Sequence, residues 1–163
     1  MVTFRSYQSD DRAWVKESNS WFYQNFHDFD ATFTVAVSAA LEFLEGQMSK
    51  PTSNYLIVEA ANRPVGCIFF NAETPTVGRI RLFYLEQAYR GQGIGMRLLR
   101  NILTDARKNG FKAVRVSTFD RHPEACRLYE FFGFEVLNIN RSEAFGQVMQ
   151  QIDYELLLAG GER

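Results

Sequence analysis

The chain has few of the residues that metal-binding and disulfide-rich proteins depend on. Its 163 residues include only two histidines and two cysteines, Cys67 and Cys126, and the cysteines do not form a CxxC pair. That scarcity argues against a zinc site, so we expect no bound metal. Both cysteines lie in apolar surroundings, and we expect buried free thiols in a reducing cytoplasm.

Long apolar runs and an excess of basic charge are also missing. No apolar stretch is long enough to span a bilayer, and the first residues lack the apolar core of a signal peptide. The formal net charge of -1 gives no general attraction to nucleic acid or to an anionic membrane. The sequence therefore predicts a soluble cytoplasmic protein that binds neither, in which local basic residues serve a local ligand.

The remaining composition is typical of a globular protein. Hydrophobic residues make up 46% and charged residues 23%, and no repeat, low-complexity tract or linker is visible. This length suits one domain with its own core, so we predict a single domain over residues 1–163.

The periodicity of apolar residues predicts a mixed α/β sheet. Helices are inserted among strands that form hairpins, which argues against a purely parallel sheet. Pro123 suits the first turn of a helix, and Gly110 and Gly133 suit helix ends. The predicted strands are 3–7, 55–60, 65–71, 78–86, 112–119, 134–139 and 148–158, and a turn at 62–64 joins the second to the third. Four helices are predicted, which begin near Asp10, after 28–30, at about 95 and at Pro123. The third of these runs to about 109 and is expected to bury Met96, Leu99, Leu103 and Ala106.

A glycine-rich run joins the strand at 78–86 to the following helix. Glycines at 91, 93 and 95 let the backbone curl tightly, and the helix start contributes unpaired N–H groups, which together suit an anion such as pyrophosphate. The run lacks the Lys and hydroxyl of a nucleotide-hydrolase loop, and Met96 or Leu98 stands where a dinucleotide fold needs its third glycine. By itself, the run also fits a purely structural turn.

The pattern Arg90-x-x-Gly93-x-Gly95 resembles motif A of the GNAT superfamily, the acyl-CoA-dependent N-acetyltransferases. Residues 122–134, with the sequence HPEACRLYEFFGF, are similar to motif B of the same family. Short segments at 30–33, 79–83, 145–147 and 154–156 further resemble the acetyltransferase half of MarR–GNAT fusion proteins, although no winged-helix half is present. The resemblance implies a GNAT fold, with a mostly antiparallel sheet of six to seven strands, four helices and a splay at the strand before the glycine loop.

The resemblance also implies a binding site for acetyl-CoA. The pyrophosphate would be held by backbone N–H groups of the glycine run, and Arg97 or Arg100 would either meet the ribose phosphate or face solvent. The N–H of Phe83 or Tyr84 would polarise the thioester carbonyl, and Leu85 would pair with the pantetheine arm. The cofactor-binding residues implied for the loop are Arg90, Gly91, Gln92, Gly93, Ile94, Gly95 and Met96.

Three further side chains are candidates for the chemistry. Tyr129 matches the tyrosine that protonates the departing thiolate in the family, but its helix also suits a packing role. His122 replaces the family's usual Asn and would contact the pantetheine arm, cap a helix or, less favoured, act as a base. Arg81 would pair with an internal carboxylate or with the carboxylate of an amino-acid-like acceptor.

The sequence thus predicts an N-acetyltransferase that acts on a primary amine of a small molecule. The alternatives are a CoA-binding sensor or interaction module without turnover, and a structural domain without a ligand. A homodimer edge built by the last strand and the segment around Phe145 is also possible. No general base is assigned, and the candidates are Tyr23, Asp28, Asp30 and Glu86.

Overall fold

A computed structural model describes residues 1–158 as one seven-stranded sheet with four α-helices. The strand order is β1-β2-β3-β4-β5-β7-β6, and within this part of the chain every neighbouring pair is antiparallel except β4 and β5. The fold class predicted from the sequence is therefore confirmed. The elements are β1 (Thr3–Ser6), α1 (Arg12–Phe26), α2 (Thr32–Gln47), β2 (Asn54–Ala60), β3 (Arg63–Ala72), β4 (Val77–Leu85), α3 (Ile94–Lys108), β5 (Ala113–Phe119), α4 (Pro123–Phe131), β6 (Glu135–Ala144) and β7 (Gln147–Leu157).

The central strands are apolar on both faces because helices cover both faces. Along β2, Tyr55 and Ile57 belong to the core under α1 and α2, whereas Leu56 and Val58 belong to the core under α3 and α4. Successive side chains of a strand point to opposite faces, so this alternation divides one strand between two cores. The two cores fix α1 and α3 on opposite sides of β4.

The parallel pair β4–β5 separates along its length. Only Val77–Arg79 pairs with Ala113–Arg115, although both strands continue for several residues. We call this paired part the closed end, and we call residues 81–85 together with 116–119 the open end. The splay expected at the strand before the glycine loop is therefore present.

A β-bulge in β4 marks the start of the open end. Arg81 pairs with Phe69 and Tyr84 pairs with Cys67, so Leu82 and Phe83 together lie opposite one residue of β3. Leu82 has a φ of 48°, which is unusual for a residue with a side chain. An extra residue of this kind bends a strand and increases its twist, and here the bend accompanies the separation of β4 from β5.

Several boundaries and burial expectations differ from the structure. The final hairpin is longer than predicted, because exposed polar residues of β6 give no hydrophobic signal; β6 reaches Ala144 and β7 starts at Gln147. The turn between β2 and β3 is Ala61–Asn62, both with positive φ, rather than 62–64. Leu98 is buried in α3 while Met96 is only half-buried, and Cys126 is half-buried, unlike the fully buried Cys67.

Candidate active site

The glycine run forms an open cradle at the start of α3. Gly91 has a φ of 73° and Gly93 a φ of 79°, and a Cβ at either position would meet nothing within 4 Å. Gly93 is the N-cap of α3, and no side chain in the described part of the chain caps that helix by a hydrogen bond. The first N–H groups therefore face open space next to the positive end of the helix dipole, which suits an anion.

The other residues of the run differ in their roles. Gly95 and Met96 lie inside the first turn of α3, and Gly95 takes ordinary helical backbone angles rather than a positive φ. The Ile94 side chain is buried in the core, so only its backbone faces the cradle. Gln92 is exposed and donates to the carbonyl of Ala88 at 3.0 Å.

Arg90 turns away from the cradle toward α1. Its Nε donates to the carbonyl of Leu85 at 2.7 Å, and its guanidinium carbon lies 4.4 Å from the centroid of the Phe22 ring. Its Nη1 lies 3.9 Å from a carboxylate oxygen of Glu124. Arg90 thereby ties the loop to the open end and places a positive charge there.

Arg97 and Arg100 are both exposed on α3. Their guanidinium groups lie over the rings of Phe4 and Phe132, at 4.9 and 5.7 Å from the ring centroids. Both positions are close to the cradle along the helix, so both alternatives from the sequence stay open.

Phe83 within the bulge and the two residues after it point in different directions. Tyr84 is buried against Phe22 and Trp14 of α1, with ring centroids 5.8 and 6.2 Å away. Phe83 belongs to the opposite face, where its ring lies next to Gly95. Leu85 is buried and packs closely on Gly66. The backbone of this segment pairs with β3 but not with β5, so the polar groups on its β5 edge, apart from the Leu85 carbonyl that Arg90 already contacts, are available to an extended ligand.

Tyr129 lies on α4 and is only 3% exposed. Its ring contacts those of Phe134 and Tyr154, with centroids 5.5 and 5.7 Å away. Burial raises the pKa of the Tyr129 phenol, and Tyr23, Cys126 and Tyr154 raise it further. The phenol therefore stays protonated at neutral pH and can act as a proton donor.

His122 is the N-cap residue of α4, but its side chain makes no capping hydrogen bond within residues 1–158. The ring instead packs on Tyr23 and His27 of the α1 end, with centroids 5.0 and 4.7 Å away. Burial, together with His27 and Arg90, lowers the pKa of His122 to about 4. His122 is therefore neutral at pH 7, which suits a hydrogen-bonding or proton-accepting role.

Arg81 occupies the last position of β4 before the bulge. Its Nε is buried without a hydrogen-bond partner among the described residues, and its guanidinium carbon lies 5.4 Å from the centroid of the Phe43 ring. Burial and the nearby Arg79 lower the pKa of Arg81. Since a buried N–H without a hydrogen-bond partner is unfavourable, this half-buried side chain can bind an anionic ligand.

The four side chains considered as general bases are disfavoured on several grounds. Glu86 forms a two-bond ion pair with Arg63 at 2.9 and 3.0 Å. Asp30 accepts hydrogen bonds from the backbone and the hydroxyl of Thr32 at the start of α2. Burial raises the pKa of Tyr23, which makes it a poor base. Asp28 is exposed.

Sequence reasoning missed the role of two segments that meet at the open end. Asp30 N–H donates to the carbonyl of Phe145 at 2.9 Å, and the Phe145 ring lies 5.0–5.1 Å from the rings of Phe29 and Phe33. Phe145 thus packs within its own chain. His27 was also missed, and its only sequence signal is that it is one of two histidines.

Within residues 1–158, no group of three or more His, Cys, Asp or Glu side chains is arranged to hold a metal ion. No helix in the same range is long and apolar enough to cross a membrane.

Comparison with known proteins supplies a family. The family model described as Acetyltransferase (GNAT) family matches residues 12–134. An uncharacterized N-acetyltransferase of Methanocaldococcus jannaschii is 22% identical over 139 residues, which are 82% of this chain and 60% of the relative. N-acetyltransferase 8B of Homo sapiens is 31% identical over 105 residues, 56% of this chain and 46% of the relative. The chain thus spans about half the length of these curated relatives.

Solved structures share the fold at low sequence identity. The yncA protein from Salmonella typhimurium, solved with its cofactor acetyl-CoA, has a TM-score of 0.79 at 19% identity, covering 96% of this chain and 94% of the other. Ribosomal-protein-alanine N-acetyltransferase from Brucella melitensis has a TM-score of 0.77 at 17% identity, covering 96% and 99%. At such identities the likeness speaks for the fold alone.

Proposed function

The chain belongs to the acetyltransferase (GNAT) family, and on that premise we propose that it transfers an acetyl group from acetyl-CoA to a primary amine of a small molecule. One observation carries the proposal. The open end of β4 and β5 leaves unpaired backbone beside the uncapped N-terminus of α3. An extended arm with a pyrophosphate at its far end matches that combination of strand edge and anion cradle.

Each part of acetyl-CoA would meet a different part of the site. The pyrophosphate would accept hydrogen bonds from the N–H groups of the cradle, at Gln92, Gly93, Gly95 and Met96. The pantetheine arm would lie along Leu85, and the thioester carbonyl would accept a hydrogen bond from the N–H of Phe83 or Tyr84. Backbone donors of this kind stabilise the negative charge that develops on that oxygen.

Tyr129 would supply the proton for the leaving thiolate. Burial raises its pKa, so the phenol is protonated at neutral pH and available to donate as the thiolate leaves. A positioned acid of this kind typically accelerates a reaction about 10²–10⁴-fold. Its burial beside Phe134 also excludes water, which would otherwise compete for the thiolate.

Arg81 would select the acceptor. Its buried Nε lacks a partner among the described residues and stands one position before the bulge, on the face opposite α3. A carboxylate on the acceptor would supply that partner, so amino-acid-like amines are the favoured class.

Several features remain part of the proposal. They are a single domain, a cytoplasmic location, the likeness to the acetyltransferase half of MarR–GNAT fusion proteins, and a homodimer. The expectation that the last strand forms the dimer edge is wrong, because β7 lies between β5 and β6. The edge strand at this end of the sheet is β6, whose exposed apolar residues include Val136, Leu137 and Ile139, and the dimer would use it.

The proposal is tested by release of free CoA thiol from acetyl-CoA in the presence of a panel of amines. We expect release that depends on an amine and is strongest for amines that bear a carboxylate. Tight binding of acetyl-CoA without release, for any amine in the panel, would instead indicate a CoA-binding sensor. The absence of both binding and release would indicate a structural domain.

A further inference from the structure

The two histidines of the chain meet at the open end of the sheet. His27 is the C-cap of α1 and His122 the N-cap of α4, and the ring centroids lie 4.7 Å apart although 95 residues separate them in sequence. Both rings also contact Tyr23, at 5.4 and 5.0 Å. The contact therefore joins the α1 side of the site to the α4 side.

The position of His122 relates it directly to the proposed reaction centre. Its backbone N–H donates at 3.0 Å to the carbonyl of Phe119, the last residue of β5, so His122 stands where β5 leaves the open end. Tyr23, which contacts the His122 ring, also interacts electrostatically with Tyr84 on the β4 side and with Tyr129. His122 thus lies on the same side of the gap as the proton donor.

Burial, reinforced by the surrounding charges, keeps both imidazoles neutral at pH 7. Arg90 faces the pair from the glycine loop, and Arg121 from the β5–α4 connection, where its Nη1 donates to the carbonyl of His27 at 3.5 Å. Asp28 opposes this effect at His27, and Glu124 lies near Arg90. Burial and the two arginines lower the pKa of His27, as burial, His27 and Arg90 do for His122.

We propose that His122 accepts the proton that the amine loses, and that His27 is its positioning partner. The inference rests on the proposed function. It follows from the geometry above and from the poor alternatives, since Glu86 and Asp30 are engaged elsewhere, Tyr23 holds its proton and Asp28 is exposed.

The proposed acetyl transfer balances in protons and electrons without another reactant. The amine nitrogen forms a bond to the acetyl carbon, and the bond between that carbon and sulfur breaks with its electron pair going to sulfur. His122 takes one proton from the nitrogen, and Tyr129 gives one proton to the sulfur. Exchange of a proton between the charged imidazole and the phenolate, through water, then restores both groups.

The pairing is tested first without turnover, by NMR titration of the imidazole C–H signals of the free protein between pH 3.5 and 8. We expect His122 to titrate well below 6.5, its ordinary pKa. His27→Gln removes one cause of that lowering, so the His122 signal should then titrate at higher pH. Titration of His122 near 6.5 in both proteins would overturn the pairing.

The catalytic role is tested with His122→Asn, which keeps an amide able to contact the pantetheine arm but cannot accept a proton. We expect its Kd for acetyl-CoA to stay within about twofold and its kcat to fall about 100-fold. In the wild-type protein kcat/KM should fall at acidic pH as His122 becomes protonated, and this acidic limb of the pH profile should disappear in His122→Asn. In His27→Gln that limb should move to higher pH, because one cause of the lowered pKa of His122 is then absent.

Two results would contradict this role and are distinguishable. A His122→Asn protein with wild-type kcat and an unchanged acidic limb would overturn the inference and leave the proposed function standing. An absence of thiol release by the wild-type protein with every amine would overturn both. Each sample is also returned from acidic pH to pH 7 and assayed again. Activity that returns in full indicates protonation of the base, and activity that stays lost indicates unfolding.

Discussion

The two ends of the β4–β5 pair differ in how their charged groups are satisfied. At the closed end, Arg79 donates to Glu73 at 2.8 Å and to Ser117 at 3.1 Å, and Arg115 donates to Glu155 at 2.9 Å. At the open end, Arg81 has a buried Nε without a partner among residues 1–158. Two residues along β4 thus separate Arg79, which is paired with Glu73, from Arg81, whose Nε has no partner among residues 1–158.

The contrast extends to the backbone and to the titratable groups. The closed end has regular parallel pairing, whereas the open end begins with Leu82 at a φ of 48°. Burial raises the pKa of Tyr84 and Tyr129 and lowers that of His122 at the open end. A strained backbone, a buried Nε without a partner and shifted pKa values thus meet at the open end, a combination that is typical of sites left for a ligand.

The largest expected effect concerns the cradle at the start of α3. Gly93→Glu places a carboxylate and a strained backbone where the pyrophosphate would bind, so the affinity for acetyl-CoA should fall roughly 100-fold or more. Gly110→Glu is the matched control, because Gly110 has a φ of 80°, has nothing within 4 Å of its Cβ position and follows the other end of α3. Calorimetric titration measures both, and equal losses would refute a role for the cradle.

The proton donor gives the next effect. Tyr129→Phe keeps the ring packing but removes the hydroxyl, so kcat should fall about 100-fold while the Kd for acetyl-CoA changes little. Tyr154→Phe is the control, since its ring is buried 5.7 Å from that of Tyr129. If both variants keep wild-type kcat in the thiol-release assay, Tyr129 is only a packing residue.

The closed end should respond in stability instead. A Cβ at Gly78 would lie 2.0 Å from Cζ of Phe70, so Gly78→Ala forces the ring to move and should lower the free energy of unfolding by about 1–3 kcal/mol. Gly46→Ala in α2 meets nothing within 4 Å and should leave stability equal or higher. Urea unfolding compares the two, and an unaffected Gly78→Ala would show that the closed end tolerates repacking.

The smallest effect concerns the choice of acceptor. Arg81→Gln should raise KM about tenfold for an amine that bears a carboxylate, and change it little for the matching amine without one. Arg79→Gln should leave both KM values near wild type, because Arg79 already binds Glu73. Equal KM changes for the two amines in Arg81→Gln would show that Arg81 does not bind a carboxylate of the acceptor.

The sequence predicted features that depend on local residue types. The order of elements followed from apolar periodicity, and the cradle followed from the glycines at 91 and 93. The bulge at Leu82 was not predictable from local signals, since leucine carries no preference for a positive φ. The contact of His27 with His122 could not be predicted either, because it depends on packing between residues 95 positions apart in the sequence.

The central claim is that acetyl-CoA occupies the open end of β4 and β5 and the cradle beside it. The most direct test is a titration of the isotope-labelled protein with acetyl-CoA, followed through backbone amide NMR signals. The account predicts large shifts for amides at 83–85 and 91–97, and small ones at 77–79 and 113–115. Shifts concentrated at the closed end, or no shifts at saturating acetyl-CoA, would contradict it.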